Sequence, residues 1–259
     1  VRLRLVGDVV FTTPAIHALR RHFPAARIDY LVEPAAAAIV RHDPDLTHVI
    51  EVERPRGLRR IGYDLALARR LRATRYDIAI DFHGGPRAAW LVRATGARRR
   101  LGYDIPGRRF CYPTRVPCPP DLLPPRHSVL NQWDLLTPLG IAAPAPASDA
   151  VRMTPGAAAI GQASRRLADA GVAAGAPLVV VHVSASNPFR RWPRESFARV
   201  AATLAAGDPA RRIMITAGPS EADAADAIAA EAARLAGPAA AAILRCGEPS
   251  LEALQDIMT

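Results

Sequence analysis

Strand-like and helix-like runs alternate along the whole chain, and this alternation is the tightest constraint on its fold. Val1–Val6 reads as a strand and Gly7–Thr13 as a loop. A helix then starts at Pro14 with Thr13 as its cap. Ile16, Leu19 and Phe23 recur at helical spacing and give that helix one apolar face. Strand-like runs return at Arg27–Val32, His48–Val52 and Asp77–Phe82, and a helix over His127–Leu139 ends at Gly140. Strands alternating with helices predict parallel βαβ units, hence an α/β fold. Ile141–Asp149, rich in Pro and Ala and without periodicity, is the expected linker, which places domains at 1–145 and 150–259. Beyond it the pattern restarts. Leu178–Val183 is a continuous apolar strand, and a helix from Arg194 carries Phe197, Val200 and Leu204 on one face. Arg212–Ala217 and Ala242–Cys246 are further strands around a helix over Ser220–Leu235. A last helix begins at Ser250 with no stop signal, and the chain opens on Val1 inside a strand. A piece of a longer protein is therefore expected, its second domain unfinished.

The 259 residues, half of them apolar, suffice for one large or two medium cores and exclude a disordered or fibrous chain. The net charge of +10 comes from 34 arginines and no lysine. It is regional. Between Arg54 and Arg115 lie 16 arginines against Asp64, Asp77, Asp81 and Asp104. A basic face of this kind attracts phosphates, on nucleic acid, anionic lipid or a phosphorylated substrate. Cys111, Cys118 and Cys246 form no C-x-x-C pair, which argues against a disulfide framework or a zinc site. The longest apolar stretches, Leu31–Val40 and Leu235–Leu244, are too short to span a bilayer.

Three strand-to-helix junctions carry the chemistry, because ligands of open α/β sheets bind beyond the carboxyl ends of the strands. In the first, Gly7 lets a substrate approach the backbone and Asp8 is a candidate general base, the alternative being a carboxylate that only orders the turn. In the second, Ser184, Ser186, Asn187 and Arg190 precede a helix N-terminus and together suit a diphosphate; otherwise the segment is a capped loop with Trp192 as a core plug. In the third, Ala217-Gly218-Pro219-Ser220-Glu221, Glu221 can accept ribose hydroxyls, or it merely complements the helix dipole beside a Ser220–Asp223 capping pair. Asp43-Pro44-Asp45 is formally a D-x-D, but it precedes a strand and reads as a turn; no metal is expected. His83 and His182 are expected to have structural hydrogen-bonding roles. The absence of G-x-G-x-x-G and Walker A segments weighs against dinucleotide and P-loop chemistry, and Arg98-Arg99-Arg100 without interleaved aromatics is a weak nucleic-acid signal.

Taken in order, the three loops resemble glycosyltransferase family 9, the lipopolysaccharide heptosyltransferases. Gly7-Asp8-Val9 through Thr13-Pro14 is similar to the family's first motif, Ser184 through Trp192-Pro193 to its second, and Gly218-Pro219-Ser220-Glu221 to its third. Asp81 through Arg87, Arg100 through Asp104 and His127 through Gly140 also match. The resemblance implies a GT-B fold of two Rossmann-like parallel-sheet domains, an N-terminal one for the acceptor and a C-terminal one for the ADP-heptose donor. It implies Asp8 as the base, with Ser184, Ser186, Asn187, Arg190 and Glu221 on the donor and Gly7, Thr12, Thr13 and Arg87 on the acceptor. No cofactor or metal is implied. The expected partners are a nucleotide-sugar donor, a phosphorylated lipopolysaccharide core or lipid A acceptor and the anionic inner-membrane surface, with the protein cytoplasmic and peripheral on that membrane's inner face. The family's lysine is Arg190 here, its post-strand glycine is Ser184, and its later D-x-G-x-x-H segment is not among the 259 residues. Alternatives are a relative using another nucleotide sugar, or a non-catalytic basic module binding nucleic acid.

Overall fold

The computed structural model describes residues 1–119, 124–145, 147–185 and 187–245. The chain forms two compact units, Val1–Thr154 and Pro155–Thr259. The first runs α1 (Val6–Val10), α2 (Thr13–His22), β1 (Asp29–Val32), α3 (Pro34–Ala37), β2 (His48–Glu51), α4 (Leu58–Ala73), β3 (Ile78–Ile80), α5 (Pro86–Ala94), β4 (Arg99–Tyr103), β5 (Thr114–Val116) and α6 (Ser128–Trp133). The second runs α7 (Ala157–Asp169), β6 (Leu178–His182), α8 (Arg194–Ala206), β7 (Arg212–Thr216), α9 (Ala222–Ala236) and β8 (Ile243–Leu244). Every strand pairing is parallel, as the alternation predicts.

In the first unit, β1–β2 and β3–β4–β5 are joined by the chain's opening residues. Arg2 N donates to Leu31 O (3.1 Å) and Glu33 N to Leu3 O (2.8 Å) on one side, while Phe82 N donates to Val1 O (3.0 Å) on the other. Counting Val1–Leu3 as the first strand, the order is 3-2-1-4-5-6, that of a dinucleotide-binding Rossmann half-pair, with the switch point between residues 1–3 and β3. The expected strand Val1–Val6 stops early because Leu5 takes a positive φ of 68°. The expected loop Gly7–Thr13 is instead mostly the short helix α1, whose Val9 is fully buried. Thr12, not Thr13, is the N-cap residue of α2, with Thr13 and Pro14 in its first turn. Both hydroxyls turn backwards: Thr12 Oγ1 donates to Val9 O (2.6 Å) and Thr13 Oγ1 to Val10 O (2.9 Å).

The helix expected over His127–Leu139 breaks after Trp133 and finishes as a 3-10 turn at Thr137–Leu139. Gly140 closes it in the left-handed region (φ 82°). Pro138 accounts for the break, because it lacks the amide that would bond back to Asp134. The Pro/Ala-rich stretch expected as a linker is held on the first unit. Trp133 Nε1 donates to Ala142 O (2.6 Å), Ile141 is buried, and buried Asp149 pairs with Arg21.

In the second unit, β6–β7–β8 is covered by α8 and α9. Of the expected apolar face of α8, Phe197 and Leu204 pack partly buried against the core, while Val200 is exposed. The buried positions are Ala198, Ala201, Ala202 and Ala205, which meet Ala225, Ile228, Ala229 and Ala232 of α9. Alanine's small side chain lets the two helices approach closely, so the alanine stripe outcompetes the larger residues for the interior. Cys246 and the helix expected from Ser250 lie outside the described residues. Among the described residues, no helix is long and apolar enough to cross a membrane.

Candidate active site

The turn that follows Leu3 delivers Asp8 to the carboxyl-end crevice at the switch point of the first sheet. Its carboxylate is ion-paired with Arg2 Nη2 and remains 27% exposed. Arg2 is anchored in turn by Nη1 donating to Phe82 O (2.6 Å), just past β3. From the other side, Gln132 Nε2 of α6 donates to Asp8 O (3.3 Å), and His127 stacks edge-on against Phe11 with ring centroids 5.1 Å apart. One guanidinium thus holds the candidate base against the sheet and α6 holds its backbone. Gly7 beside it is exposed, with nothing within 4 Å of where a Cβ would sit, so the approach to Asp8 is open.

A buried carboxylate shapes the floor of this crevice. Asp81, fully buried at the end of β3, accepts from His83 N and Gly84 N (both 2.8 Å) and from the Tyr112 hydroxyl. Burial pushes the Asp81 carboxyl up from its ordinary range, against the pull of Tyr112 and the two amides. Tyr112 reaches it by lying across Gly102, where an added Cβ would come within 2.6 Å of the ring. The turn so formed presents His83 toward Arg2, Arg4 and Asp8. Burial, followed by the two arginine charges, lowers its imidazole to about 4, so it is neutral at physiological pH. Among the described residues, buried Arg2 Nε, His83 Nδ1, Gln132 Oε1 and Arg87 Nη1 make no hydrogen bond, and the first three belong to residues that contact Asp8 or face it. Unused hydrogen-bonding capacity around one partly exposed carboxylate marks a polar site rather than a core.

The remaining acceptor-side candidates are more enclosed. Thr12 and Thr13 are buried, and Thr12 Oγ1 also bonds to the Tyr30 hydroxyl (2.6 Å). Arg87 is partly committed to the protein: Nε and Nη2 donate to Asp64 Oδ1 (3.1 and 2.6 Å) and Nη2 to Glu53 O (2.6 Å), while Nη1 makes no hydrogen bond with the described residues. The fork fastens α5 to α4. Asp43 and Asp45 form a turn in which Asp45 N donates to Asp43 Oδ1 (2.9 Å), and Asp45 also bonds His17 (2.7 Å). His182 bonds Thr216 (3.1 Å), the structural role expected of it.

In the second unit, the two remaining loops are tied together. Ser184 Oγ accepts from Gly218 N (2.7 Å), a bond that a glycine at 184 could not make. Arg191, which no local pattern singles out, pairs with Glu221 Oε1 (2.7 Å) and donates to Ala185 O (2.9 Å). Gly218 lies between them; a Cβ there would sit 3.3 Å from Glu221 Oε2 and 3.7 Å from Ser184 Oγ. Ser184 and Glu221 therefore belong to one cradle. Arg190 is exposed, with its guanidinium over the Phe189 ring (5.7 Å) and no carboxylate partner among the described residues. Asn187 is exposed and turns the loop by accepting Arg190 N at its carbonyl (2.9 Å). Ser186 lies outside the described residues. Trp192 is half-exposed and meets Phe197 edge-on (5.2 Å), so it caps the start of α8 rather than plugging a core.

Comparison with known proteins places these loops in context. Lipopolysaccharide heptosyltransferase 3 of Escherichia coli is 26% identical over 226 residues, 85% of this chain and 64% of that protein. Lipopolysaccharide heptosyltransferase 1 of Pseudomonas aeruginosa is 31% identical over 110 residues, 40% of this chain and 31% of that protein. The chain thus spans less than two thirds of the length of these relatives. Among solved structures, a family 9 glycosyl transferase from Veillonella parvula superposes with a TM-score of 0.78 at 20% identity, over 90% of this chain and 70% of that one. E. coli heptosyltransferase WaaC with ADP-2-deoxy-2-fluoro heptose gives 0.72 at 21% identity, over 100% and 80%. E. coli ADP-heptose heptosyltransferase II gives 0.73 at 18%, over 99% and 76%. These likenesses bear out the GT-B type of α/β fold. The profile of glycosyltransferase family 9 (heptosyltransferase) matches residues 65–259, three quarters of the sequence, and the chain belongs to that family.

Proposed function

We propose that this family 9 glycosyltransferase moves a heptose from ADP-heptose to a hydroxyl of the lipopolysaccharide inner core, with inversion and with Asp8 as general base. The observation that carries the reading is the partly exposed Asp8 carboxylate at the switch-point crevice, paired to Arg2 and faced by unused polar atoms. Asp8 takes the proton of the acceptor hydroxyl as that oxygen bonds to the anomeric carbon, while the bond from that carbon to the diphosphate breaks on the opposite face. Positive charge grows on the sugar and negative charge on the departing ADP. Arg190, free of any carboxylate among the described residues, meets the diphosphate. Glu221 is the candidate ribose ligand, oriented by Arg191. No metal is required in this scheme, because the protein supplies the cations. The 16 arginines between Arg54 and Arg115 draw the phosphorylated acceptor and the anionic cytoplasmic face of the inner membrane toward the first unit.

Replacing Asp8 with Asn keeps the shape and removes the base. In the intact protein, turnover with ADP-heptose and a core acceptor is expected to fall by about 10²–10⁴. Turnover within about threefold of wild type would remove Asp8 from this role. Thermal shift with ADP and UDP tests the donor: stabilisation by ADP alone supports the reading, and equal or preferential stabilisation by UDP points to another nucleotide sugar.

A further inference from the structure

The outer face of α4 carries an apolar stripe that no element among the described residues covers. Its inner face is fixed by buried Leu67 and Leu71, by Tyr63, whose hydroxyl accepts from Glu53 N (3.0 Å), and by Asp64 paired with Arg87. At 3.6 residues per turn, Leu58, Ile61 and Leu65 fall within about 60° of arc on the opposite side. They are 85%, 58% and 44% exposed. Single exposed aliphatic residues are ordinary on a protein surface; three at i, i+3 and i+7 on one helix form a continuous stripe about 10 Å long. Gly62 and Ala66 continue the same side without adding bulk.

The stripe is bordered by positive charge. Arg54 and Arg56 lie in the segment that leads into α4, Arg59 flanks the stripe, and Arg69 continues the same outward side toward the helix end. All four are exposed and make no ion pair with the described residues. No acidic residue stands in the helix's first turn. An apolar tip bordered by guanidinium groups matches a surface on which anionic oxygens lie just above hydrocarbon. A bilayer containing anionic phospholipid has that layering, with phosphates at the level of the arginines and acyl chains beneath them.

We propose that the outward face of α4 is a membrane-docking surface, on which Leu58, Ile61 and Leu65 enter the headgroup–acyl boundary of an anionic bilayer while Arg54, Arg56, Arg59 and Arg69 engage its phosphates. This rests on the membrane reading given above and assigns it to one helix. The docking holds the acceptor-binding unit at the surface where a lipid-linked acceptor would lie.

The test is partition of the protein onto phosphatidylcholine vesicles with and without about one third phosphatidylglycerol, read by co-sedimentation without any substrate. Partition is expected to be at least tenfold higher on the anionic vesicles, and to fall at least tenfold in both the triple variant Leu58→Ser, Ile61→Ser, Leu65→Ser and the triple variant Arg54→Gln, Arg56→Gln, Arg59→Gln. Equal binding by the serine variant and the wild type would overturn the proposal, since the contact would then be electrostatic only. A concentration-dependent dimer that the serine changes dissolve, without vesicle binding, would overturn it in favour of a second copy as the occupant. Leu58→Trp alone, at a position too exposed to threaten folding, gives an independent readout: its emission must shift to the blue on anionic vesicles, and an unshifted spectrum counts against the proposal. The outcomes are distinguishable: a wild type without preference for anionic vesicles sinks the membrane reading itself, a serine variant that binds like the wild type sinks the docking face alone, and full turnover by Asp8→Asn sinks the catalytic reading alone.

Discussion

The candidate base and the candidate phosphate ligand are held in opposite ways. Asp8 is already paired, by an arginine that is itself tied to the backbone of Phe82, and is ringed by buried groups. Arg190 stands in solvent over one aromatic ring, while the neighbouring arginine, Arg191, does the bracing. A base must be ionised and correctly aimed before a neutral hydroxyl arrives, so preorganisation favours a fixed carboxylate. A cation that meets a highly charged diphosphate gains most when no internal carboxylate competes for it. The difference teaches that two adjacent arginines of one loop divide the work: Arg191 is structural and Arg190 remains available.

The largest effect that can break this contrast is the loss from Asp8→Asn, set at about 10²–10⁴ in turnover. Next comes Arg190→Ala. ADP binding, measured by titration calorimetry, is expected to weaken about 10–100-fold, the worth of one charge-assisted hydrogen bond of about 1.5–3 kcal/mol, with the fold intact. Arg190→Lys should recover most of it, because the charge returns without the fork. If alanine at 190 leaves ADP affinity unchanged, the free cation is not the phosphate ligand.

A smaller effect is a pH dependence of stability that arises beside Asp8 in the first unit. His83 is held neutral, at about 4 against an ordinary 6.5. Between those values the unfolded chain binds a proton that the folded chain refuses, so stability falls as the pH drops from 6.5 to 4. The contribution is about 1–2 kcal/mol once partial solvent contact of the ring is allowed for. His83→Gln should flatten the dependence of melting temperature on pH across this window, and an unchanged slope would mean that another group is responsible. The smallest effect belongs to Ser184→Gly, which restores the family's glycine and removes the bond from Gly218 N. A loss of about 1 kcal/mol in denaturant titration is expected, with ADP affinity unaltered. Weaker ADP binding would show that Ser184 touches the donor as well as the neighbouring loop.

The α/β class and most strand positions were legible in the sequence, because period-2 and period-3.6 patterns are local. The candidate site was legible to the extent that Asp8, Ser184, Arg190 and Glu221 could be singled out, since each follows or closely neighbours a strand end. What escaped depends on contacts remote in sequence. Arg2 and Arg191 are functionally silent until the fold sets them beside Asp8 and Glu221, and His83 looks ordinary until two arginines face it. Arg87 adds a second case: it falls where the family carries an acceptor contact, and the fold gives its Nε and Nη2 to Asp64, 23 residues away, leaving Nη1 without a hydrogen bond to the described residues. The face of α8 was read only in part: Phe197 and Leu204 do pack against the core, but a pattern weighted by side-chain size passes over the alanines that form its centre.

That alanine seam between α8 and α9 has an uneven mutational response. A core of leucines can be trimmed and suffers cavities, but methyl groups leave almost nothing to remove. Damage at Ala201, Ala202, Ala229 or Ala232 comes from enlargement, at about 1–3 kcal/mol for each oversized side chain. Enlargement on one helix has no smaller partner on the other to trade volume with, short of glycine. The seam is therefore closed to gradual repacking, and sequence drift in the second unit is steered to its sheet and its outer helix faces.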